Sequence, residues 1–331
     1  MNIVVYANAS YNIGTGHVMR CLALADFLKS NGCKIIFMTD MSLPGNLSSL
    51  IVSKGYEIIK PCITTIPDST DWLIIDNYHI DIDFEIRARK KTKYIMVIDD
   101  LANRQHDCDI LLDQNLYNNM NERYQELVPK NCKLLLGPKY ALLRDEFLQE
   151  RKTLKKRDGK INRILVSFGG IDHVDMTSRV LDILKNYKIE IDIVIGKNSL
   201  YLDKLNQICS KNQYFNLHVQ TPNMAKLLAK CDLAISAGGT SIWERCCLGL
   251  PSIVVAIADN QLESSETLAE NGLCFYAGFY NEENIEDKIS KILDSCFTNP
   301  DMLKNQSEKI MLLSNGSGKK YVWDAIASWK I

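Results

Sequence analysis

The chain has 331 residues, of which 46% are hydrophobic, and a formal net charge of −1. This length exceeds what one hydrophobic core usually holds, so we expect two domains. The near-zero charge argues against binding to nucleic acid or to membrane surfaces, and no run is long and apolar enough to span a bilayer. The N-terminal residues lack the basic region of a signal peptide, so we expect a cytoplasmic protein.

Eleven cysteines and five histidines are scattered along the chain. An odd number of cysteines without a CxxC pair argues against a disulfide framework and favours buried, reduced thiols. The histidines lack the close spacing of a zinc cluster. We therefore expect neither a metal nor a cofactor.

The N-terminal stretch predicts a strand, a glycine turn and a helix, in that order. Ile3–Tyr6 is typical of a buried strand, Gly14-Thr15-Gly16 forms the turn, and a helix begins at His17 or just before it. Lys29 falls in the last helical turn and Asn31-Gly32 is a stop signal. The apolar helix face consists of Val18, Cys21, Leu22, Ala25 and Leu28. This order places an imidazole at the mouth of an α/β cleft, beside N–H groups that favour an anion.

Strand and helix patterns alternate through the rest of the first half, which predicts parallel βαβ units. The predicted strands are 34–39, 57–59, 72–76, 94–99, 110–113 and 133–136, and the predicted helices are 43–53 and 83–91. The charged stretch 147–160 is typical of a solvated helix running into a linker. A nucleic-acid patch is disfavoured there because acids interrupt the basic residues and no aromatic residue joins them.

The second half repeats the rhythm, so the fold class is α/β with two Rossmann-like domains. Its predicted strands are 163–168, 191–195, 217–219, 233–236 and 252–258, and its predicted helices are 177–186, 223–229, 242–248 and 262–271. Beyond these the pattern is helical and ends in an apolar helix over 318–330. We expect an N-terminal domain over 1–155, a C-terminal domain over 160–315, and a last helix within 316–331 that packs back on the first domain.

Open parallel sheets bind ligands beyond the carboxyl ends of their strands. Polar residues and glycines gather after the predicted strands. They are Asn8, Ser10 and His17; Asp76, Asn77 and Tyr78; Asp99 and Asp100; Gly169, Gly170 and Asp172; Gly238, Gly239 and Thr240; and Asp259, Asn260 and Gln261. These ends are the predicted site, and two domains allow them to face one another across a cleft.

Familiar cofactor and metal motifs are incomplete. Met19 stands where a dinucleotide fingerprint has its third glycine, and Asp40 is the sole acid at the end of the second strand, which disfavours a nicotinamide enzyme. The Walker pattern is absent from the sequence. The acid pairs in 81–83 and 107–109 imitate a metal-binding DxD, but spacing this short is common by chance.

His17 has two interpretations of equal standing at this point. It is either a histidine that caps the helix with a structural hydrogen bond, or a general base. A helix N-terminus disfavours the imidazolium, and a neutral imidazole in a cleft can take a proton.

The stretch 236–244, SAGGTSIWE, also has two interpretations. It is a turn needed for tight packing, or it binds a diphosphate through the N–H groups of Gly239, Thr240 and Ser241, with Glu244 accepting from ribose hydroxyls. Gly169-Gly170 allow a second close backbone approach to the phosphates. Asp99 and Asp100 are either paired acid and base or caps; we favour the structural role for Asp99 and leave Asp100 open.

Six blocks in this order resemble a known family. They are 13–28 (IGTGHVMRCLALADFL), 74–81 (IIDNYHID), 98–115 (IDDLANRQHDCDILLDQN), 135–147 (LLGPKYALLRDEF), 168–172 (FGGID) and 236–253 (SAGGTSIWERCCLGLPSI). They are similar to the UDP-2,4-diacetamido-2,4,6-trideoxy-β-L-altropyranose hydrolases of pseudaminic acid biosynthesis. The resemblance covers nearly the whole chain, and the GxGHxxR and AGGTSxWE blocks are specific to that group and its close relatives.

The resemblance implies a GT-B fold and removal of UDP from an amino-sugar nucleotide, without metal and with inversion at the anomeric carbon. His17 matches the base for water, Tyr78 a tyrosine near the sugar, and Glu244 the ribose-binding glutamate. The remaining substrate contacts that we expect are Gly14, Gly16, Arg20, Asp100, Asn260 and Gln261, with Gly169, Gly170, Gly239, Thr240 and Ser241 on the nucleotide.

The chain departs from the family at three positions: Tyr6 and Asn8 replace an Arg-x-Asp pair, and Asn77 stands where histidine is frequent. The expected partner is a UDP-linked amino sugar, with no nucleic acid and no membrane insertion, and we expect a monomer. Two rival functions are a glycosyltransferase of the same fold and a non-catalytic nucleotide-sugar binder. A base at His17 argues against the binder, since binding alone needs none.

Overall fold

The computed structural model describes residues 1–8, 15–39 and 47–329, which divide into two compact units. Met1–Arg144 and Gly316–Ile331 form the N-terminal unit, and Asp145–Asn315 forms the C-terminal unit. Gly14 and Asp40, both named in the sequence analysis, lie outside the described residues. Each unit is built around one parallel sheet.

The N-terminal unit holds seven described strands in the order β3-β2-β1-β4-β5-β6-β7, all paired in parallel. The strands are β1 (Asn2–Ala7), β2 (Lys34–Met38), β3 (Glu57–Ile59), β4 (Thr70–Asp76), β5 (Thr92–Ile98), β6 (Ile110–Asp113) and β7 (Lys133–Leu136). The helices are α1 (Gly16–Ser30), α2 (Leu47–Ser53), α3 (Ile82–Ala88) and, from the end of the chain, α12 (Gly318–Ser328).

Hydrophobic clusters cover both faces of this sheet. Successive residues of β1 alternate between them: Ile3 and Val5 pack on one face, Val4 and Tyr6 on the other. Helix α12 joins the first cluster through three buried residues, Val322, Ala325 and Ile326. The Trp329 ring that follows packs edge-on against Trp72 and Tyr94, at centroid distances of 6.3 and 5.5 Å. The last helix thus shares the core of the first half of the chain.

The C-terminal unit has six described strands in the order β10-β9-β8-β11-β12-β13, again all parallel. The strands are β8 (Arg163–Ser167), β9 (Glu190–Ile195), β10 (Phe215–Val219), β11 (Leu233–Ala237), β12 (Ser252–Ala256) and β13 (Phe275–Phe279). The helices are α4 (Asp145–Thr153), α5 (Met176–Leu184), α6 (Leu202–Cys209), α7 (Met224–Lys230), α8 (Ile242–Cys247), α9 (Leu262–Glu270), α10 (Ile285–Thr298) and α11 (Pro300–Met311).

One sequence prediction is wrong in this unit. The region after 271 is not purely helical, because β13 adds an edge strand whose pairing with β12 shifts register between Val254 and Val255. Within the charged stretch 147–160, helix α4 ends at Thr153 and an irregular segment follows, and Phe147 is the buried residue of the helix. Arg157 donates to the carbonyls of Leu228, Leu248 and Gly249, so this cation satisfies oxygens at the ends of α7 and α8.

Both sheets have a switch point, where consecutive connections run to opposite sides of the first strand of the unit. It lies between β1 and β4 in the N-terminal unit and between β8 and β11 in the C-terminal unit. The carboxyl ends of these strand pairs are the places where α/β sheets bind ligands. They are occupied here by Asp76 and by the two glycine-rich turns of the C-terminal unit.

Candidate active site

His17 lies at the start of α1, one residue after Gly16, and its ring contacts the carboxylate of Asp76. Asp76 is the last residue of β4 and pairs in register with Ala7 at the end of β1. Its side chain is completely buried, and Oδ1 is hydrogen-bonded to Nδ1 of His17. The N-terminal switch point thus brings a buried acid against the histidine of the first helix.

Arg20 lies one helical turn after His17 and binds Asp76 with two hydrogen bonds. Its Nε donates to Oδ2 and its Nη2 to Oδ1, both at 2.6 Å. Burial alone would raise the pKa of Asp76, but the charge of Arg20 and the contact with His17 hold it well below its usual range. Asp76 is therefore a carboxylate, so Nδ1 of His17 is the proton donor in their contact. In a neutral ring that carries its proton on Nδ1, Nε2 is the atom that can accept a proton.

Tyr78 and Asp100 complete this cluster. The Tyr78 hydroxyl donates to Asp100 Oδ1 at 2.6 Å, and Arg20 Nη1 lies 3.5 Å from Asp100 Oδ2. The Tyr78 ring stands edge-on to the His17 ring, with centroids 4.6 Å apart. Burial, and then the charge of Asp100, raise the pKa of Tyr78, so it remains a phenol at neutral pH. The structure thus brings together four residues that sequence analysis named separately: His17, Arg20, Tyr78 and Asp100.

Asp99 points away from the cluster and has a structural role, as its sequence context favours. Its carboxylate accepts from Ala102 N at 2.9 Å and from Arg104 Nη1 at 2.7 Å. Behind it, the Tyr124 hydroxyl lies 3.1 Å from Asp113 Oδ2. Burial, and then the charge of Asp100, raise the pKa of Asp113 to about 7. A buried carboxyl group with a raised pKa thus lies next to Asp99 and Tyr124.

Two of the departures from the family are neighbours in the structure. Burial raises the pKa of Tyr6, and the nearby Asn77 side chain partly offsets that effect. Asn77 Oδ1 accepts from His79 N at 3.0 Å, and Tyr6 packs against Phe84 at a ring distance of 5.6 Å. Positions 6 and 77 therefore lie near each other at the ends of β1 and β4.

In the C-terminal unit, Gly238-Gly239 connect β11 to α8 in a confined space. A Cβ on Gly238 would lie 2.3 Å from Ser265 Oγ, and one on Gly239 would lie 3.5 Å from Gln261 Nε2. The first helical bonds of α8 run from Ile242 N to Gly239 O and from Trp243 N to Thr240 O. The N–H groups of Gly239, Thr240 and Ser241 therefore precede the helical ladder, and Glu244 lies in the first turn of α8.

Gln261 lies beside the glycine turn at Gly238-Gly239, whereas Asn260 is exposed. Gln261 Oε1 accepts from Ile257 N at 3.1 Å, which holds the amide group against Gly239. The polar pair that follows β12 thus lies in the C-terminal unit, with one member in contact with the glycine turn.

Gly169 and Gly170 leave the end of β8 in an open conformation. Gly169 has a φ of +90°, and a Cβ on either glycine would meet no described atom within 4 Å. The carboxylate of Asp172 caps α5 through the N–H groups of Met176 and Thr177, at 3.0 and 2.8 Å. These glycines present accessible backbone next to the C-terminal switch point.

Two buried residues beside the candidate site carried little or no signal in the sequence. Asp76 appeared only as a polar residue after a strand, although an acid that ends an apolar strand beside β1 was a usable signal. Arg245, buried in α8, gave no signal, because nothing in its sequence context shows which way it points.

The two acid pairs have structural roles. Asp81 caps α3 by accepting from Phe84 N at 3.0 Å, whereas Asp107 and Asp109 bind Arg89 at 2.7 and 2.9 Å. Within residues 1–8, 15–39 and 47–329, no three His, Cys, Asp or Glu side chains are grouped to hold a metal ion. No helix in the described ranges has the length and apolar character needed to cross a membrane.

Comparison with known proteins finds relatives that are similar over most of the chain. Residues 164–320 match the glycosyltransferase family 28 C-terminal domain. The chain is 29% identical to an uncharacterized protein of Methanocaldococcus jannaschii, over 80% of this chain and 57% of that protein. It is 27% identical to the UDP-2,4-diacetamido-2,4,6-trideoxy-beta-L-altropyranose hydrolase of Campylobacter jejuni, over 82% of this chain and 97% of that protein. It is 26% identical to the spore coat polysaccharide biosynthesis protein SpsG of Bacillus subtilis, over 89% and 90% of the two chains.

Solved structures of glycosyltransferases share the fold. Acinetobacter baumannii MurG matches with a TM-score of 0.67 and 15% identity over 99% of each chain. Anabaena Alr3699/HepE, crystallised with UDP-glucose, matches with a TM-score of 0.62 and 12% identity over 99% of this chain. At these identities the likeness concerns the fold alone. The predicted fold class is thus confirmed: the chain has two parallel-sheet α/β domains of the GT-B type and resembles the UDP-sugar hydrolases of pseudaminic acid biosynthesis.

Proposed function

We propose that this protein is a hydrolase that removes UDP from a UDP-linked 2,4-diacetamido-2,4,6-trideoxyhexose, in the biosynthesis of pseudaminic acid or a related surface glycan. The observation that carries the proposal is the buried Asp76 bonded to Nδ1 of His17, because it leaves Nε2 as a base. Similarity to the Campylobacter jejuni hydrolase over 82% of the chain supports the choice of substrate.

The chemical step is a single displacement by water. Water gives a proton to His17 Nε2 while its oxygen bonds to the anomeric carbon. The bond from that carbon to the β-phosphate oxygen breaks, and its electron pair leaves with UDP. Attack opposite the leaving group inverts the anomeric configuration. Asp76, held by Arg20, stabilises the imidazolium that forms, and a positioned base of this kind contributes about 10²–10⁴ in rate.

The N-terminal unit contributes the contacts to water and sugar in this proposal. The phenol of Tyr78 stands edge-on to the His17 ring and is hydrogen-bonded to the carboxylate of Asp100, so the pair offers a hydroxyl and an acceptor. Gly16, at the start of α1, and Gly14, outside the described residues, allow the sugar to approach the base. Arg20 acts mainly by holding both carboxylates.

The C-terminal unit contributes the nucleotide contacts. A departing diphosphate requires stabilisation of negative charge, which preorganised N–H donors supply. Gly169, Gly170, Gly239, Thr240 and Ser241 are the proposed phosphate contacts. For the ribose and the rest of the substrate, the proposed contacts are Glu244, Asn260 and Gln261.

Product analysis in ¹⁸O-labelled water tests the reaction. The UDP-linked diacetamido sugar is incubated with the protein, with and without chelator, and followed by NMR and mass spectrometry. We expect free sugar of inverted anomeric configuration carrying the label, unlabelled UDP, and the same rate with chelator. A label on UDP would overturn attack at carbon, and release of UDP only with a sugar or lipid acceptor would identify a transferase instead.

The base is tested separately. His17→Ala should lower turnover by about 10³ while UDP affinity stays within twofold, because the base acts on water and not on the nucleotide. Full turnover in this variant would remove His17 from the mechanism. Gly170→Ala tests nucleotide placement, since a Cβ there meets no described atom and should leave folding intact. Weaker UDP binding by folded Gly170→Ala supports close approach of the phosphates, and unchanged binding contradicts it.

A further inference from the structure

Arg245 lies in α8 and is 3% exposed, although it carries a charge. Its guanidinium reaches back toward the glycine turn and makes three hydrogen bonds. Nε donates to Ser252 Oγ at 2.9 Å, Nη1 to Ser241 Oγ at 3.1 Å and Nη2 to Ala237 O at 3.0 Å. All three acceptors are neutral, so no carboxylate in the described part of the chain is hydrogen-bonded to this cation.

A buried cation with neutral partners reduces the stability of the protein that contains it, because desolvation is not offset by a counter-ion. Burial accordingly lowers the pKa of Arg245 to about 10. Arg20, the other arginine this deeply buried among the described residues, binds Asp76, whereas Arg157 donates to backbone carbonyls as Arg245 does. Within the described ranges the Arg245 guanidinium thus has no hydrogen-bonded counter-ion, and the charge of Glu244 offsets the effect of its burial only in part.

The contact with Ser241 also fixes the direction of a hydroxyl. Ser241 Oγ accepts from Arg245, so its own proton is available for a different acceptor. Because Ala237 O and Ser252 Oγ are occupied as acceptors too, the guanidinium holds the end of β11, the end of the turn and the start of β12 together. An anion beside the turn would meet both an O–H donor and a positive field behind it.

We propose that Arg245 is a positioning residue for the diphosphate of the nucleotide, providing its counter-charge from beneath the glycine turn and directing the Ser241 hydroxyl toward it. This inference rests on the proposed function, because it takes the turn as the phosphate contact. Arg245 does not touch the ligand; it acts through Ser241 and through its charge.

The experiment compares the binding of UDP and of uridine by calorimetry in wild type, Arg245→Gln and Arg245→Lys. Glutamine removes the charge and lysine keeps it. We expect Arg245→Gln to lose roughly tenfold in UDP affinity and less than twofold in uridine affinity, and Arg245→Lys to keep UDP affinity within threefold. The melting temperature of unliganded Arg245→Gln should equal or exceed that of wild type, since an unpaired buried charge is removed.

Arg157→Gln is the matched control, because Arg157 is also largely buried and also donates to backbone carbonyls in the same unit. Its carbonyls belong to the ends of α7 and α8, so the variant should lower the melting temperature and leave the ratio of UDP to uridine affinity unchanged. A purely structural Arg245 would behave in the same way, and that result would overturn the proposal.

Other outcomes are also decisive. Equal losses of UDP and uridine affinity in Arg245→Gln, or no loss of either, would contradict the proposal. If Arg245→Gln does not fold, Arg245→Lys decides: a folded lysine variant with tenfold weaker UDP binding overturns the charge role. A wild-type protein that binds neither UDP nor uridine would overturn the proposed function as well. If the wild type releases UDP and Arg245→Gln binds UDP as tightly as the wild type does, only the role of Arg245 is overturned.

Discussion

The carboxyl ends of the two sheets carry opposite kinds of chemistry. In the N-terminal unit, His17 and Arg20 contact the buried Asp76, and Tyr78 and Asp100 extend this cluster of titratable side chains. In the C-terminal unit, the corresponding edge is glycine backbone with one buried guanidinium beneath it. The first arrangement suits proton transfer, which needs a group held in one protonation state. The second suits an anion, which needs close approach and positive potential.

Asp76→Asn should have the largest effect on the proton-transfer chemistry of the N-terminal unit. The amide can donate to Nδ1 of His17, which would place the proton on Nε2 and remove the base, and Arg20 loses the nearer of its two carboxylate partners. We expect turnover to fall by about 10³ or more, with UDP affinity nearly unchanged because the proposed nucleotide contacts belong to the C-terminal unit. Initial rates of UDP release and calorimetry measure both.

Cys21→Ala is the matched control for Asp76→Asn. The Cys21 thiol also contacts Asp76, at 3.3 Å from Oδ2, but it neither orients His17 nor carries charge. Turnover should change by less than about threefold, since one weak donor is lost. An Asp76→Asn enzyme within tenfold of wild type would show that orientation of the imidazole does not depend on this carboxylate.

The next largest effect is the pH dependence of stability that comes from the buried Asp113. Because the pKa of Asp113 is raised to about 7 in the folded protein and is near 3.9 unfolded, the native state holds a proton that the unfolded state has lost between these values. Stability from this group is therefore present below the unfolded pKa and is lost as pH rises toward 7, by up to about 1.4 kcal/mol per pH unit. Asp113→Asn mimics the protonated acid and should remove that loss.

Melting curves between pH 4 and pH 8 test this expectation. The melting temperature of Asp113→Asn relative to wild type should increase with pH, because only wild type must ionise the buried group. Asp71→Asn serves as a control, since the hydrogen bond to Lys93 lowers the pKa of Asp71. Stability from that group is lost only as pH falls below about 4, so the difference between Asp71→Asn and wild type should stay nearly constant above about pH 5. A constant difference between Asp113→Asn and wild type over this range would mean that Asp113 is ionised throughout.

How far the sequence predicts this molecule can be judged from its two glycine turns. The strands before them were predictable, since apolar runs such as 233–236 are specified locally, and parallel pairing puts their ends at one edge. The same rule selected His17, Asp100 and Gly239. The rule does not give side-chain direction, so Asp76 and Arg245 were overlooked, and β13 was missed because an edge strand containing Gly278 has no strong period. The charged character of 147–160 predicts solvent-exposed side chains, but the Arg157 guanidinium instead donates to a backbone carbonyl oxygen in the folded protein.

Packing of the C-terminal turn offers the next test. Gly238→Ala should destabilise by about 1–3 kcal/mol, because its Cβ would lie 2.3 Å from Ser265 Oγ. Ser265→Ala should be neutral or slightly stabilising, since that buried hydroxyl has no partner among the described residues. The double variant should regain most of the loss, because the next contacts, at 3.4 Å, are ordinary. Additive losses in thermal melts would contradict this geometry.

The smallest effect distinguishes two tyrosines that both bond to Asp100. Tyr78 donates to its carboxylate and stands against His17, whereas Tyr117 donates to its backbone oxygen at 3.1 Å. Each change to Phe removes one buried hydrogen bond, worth about 1 kcal/mol of stability. Only Tyr78→Phe should also lower kcat/KM, by roughly tenfold, because only Tyr78 stands against the ring of the proposed base. Equal kinetic losses in Tyr78→Phe and Tyr117→Phe would show that both tyrosines act by supporting Asp100. The Tyr78 hydroxyl would then make no contact of its own with the substrate.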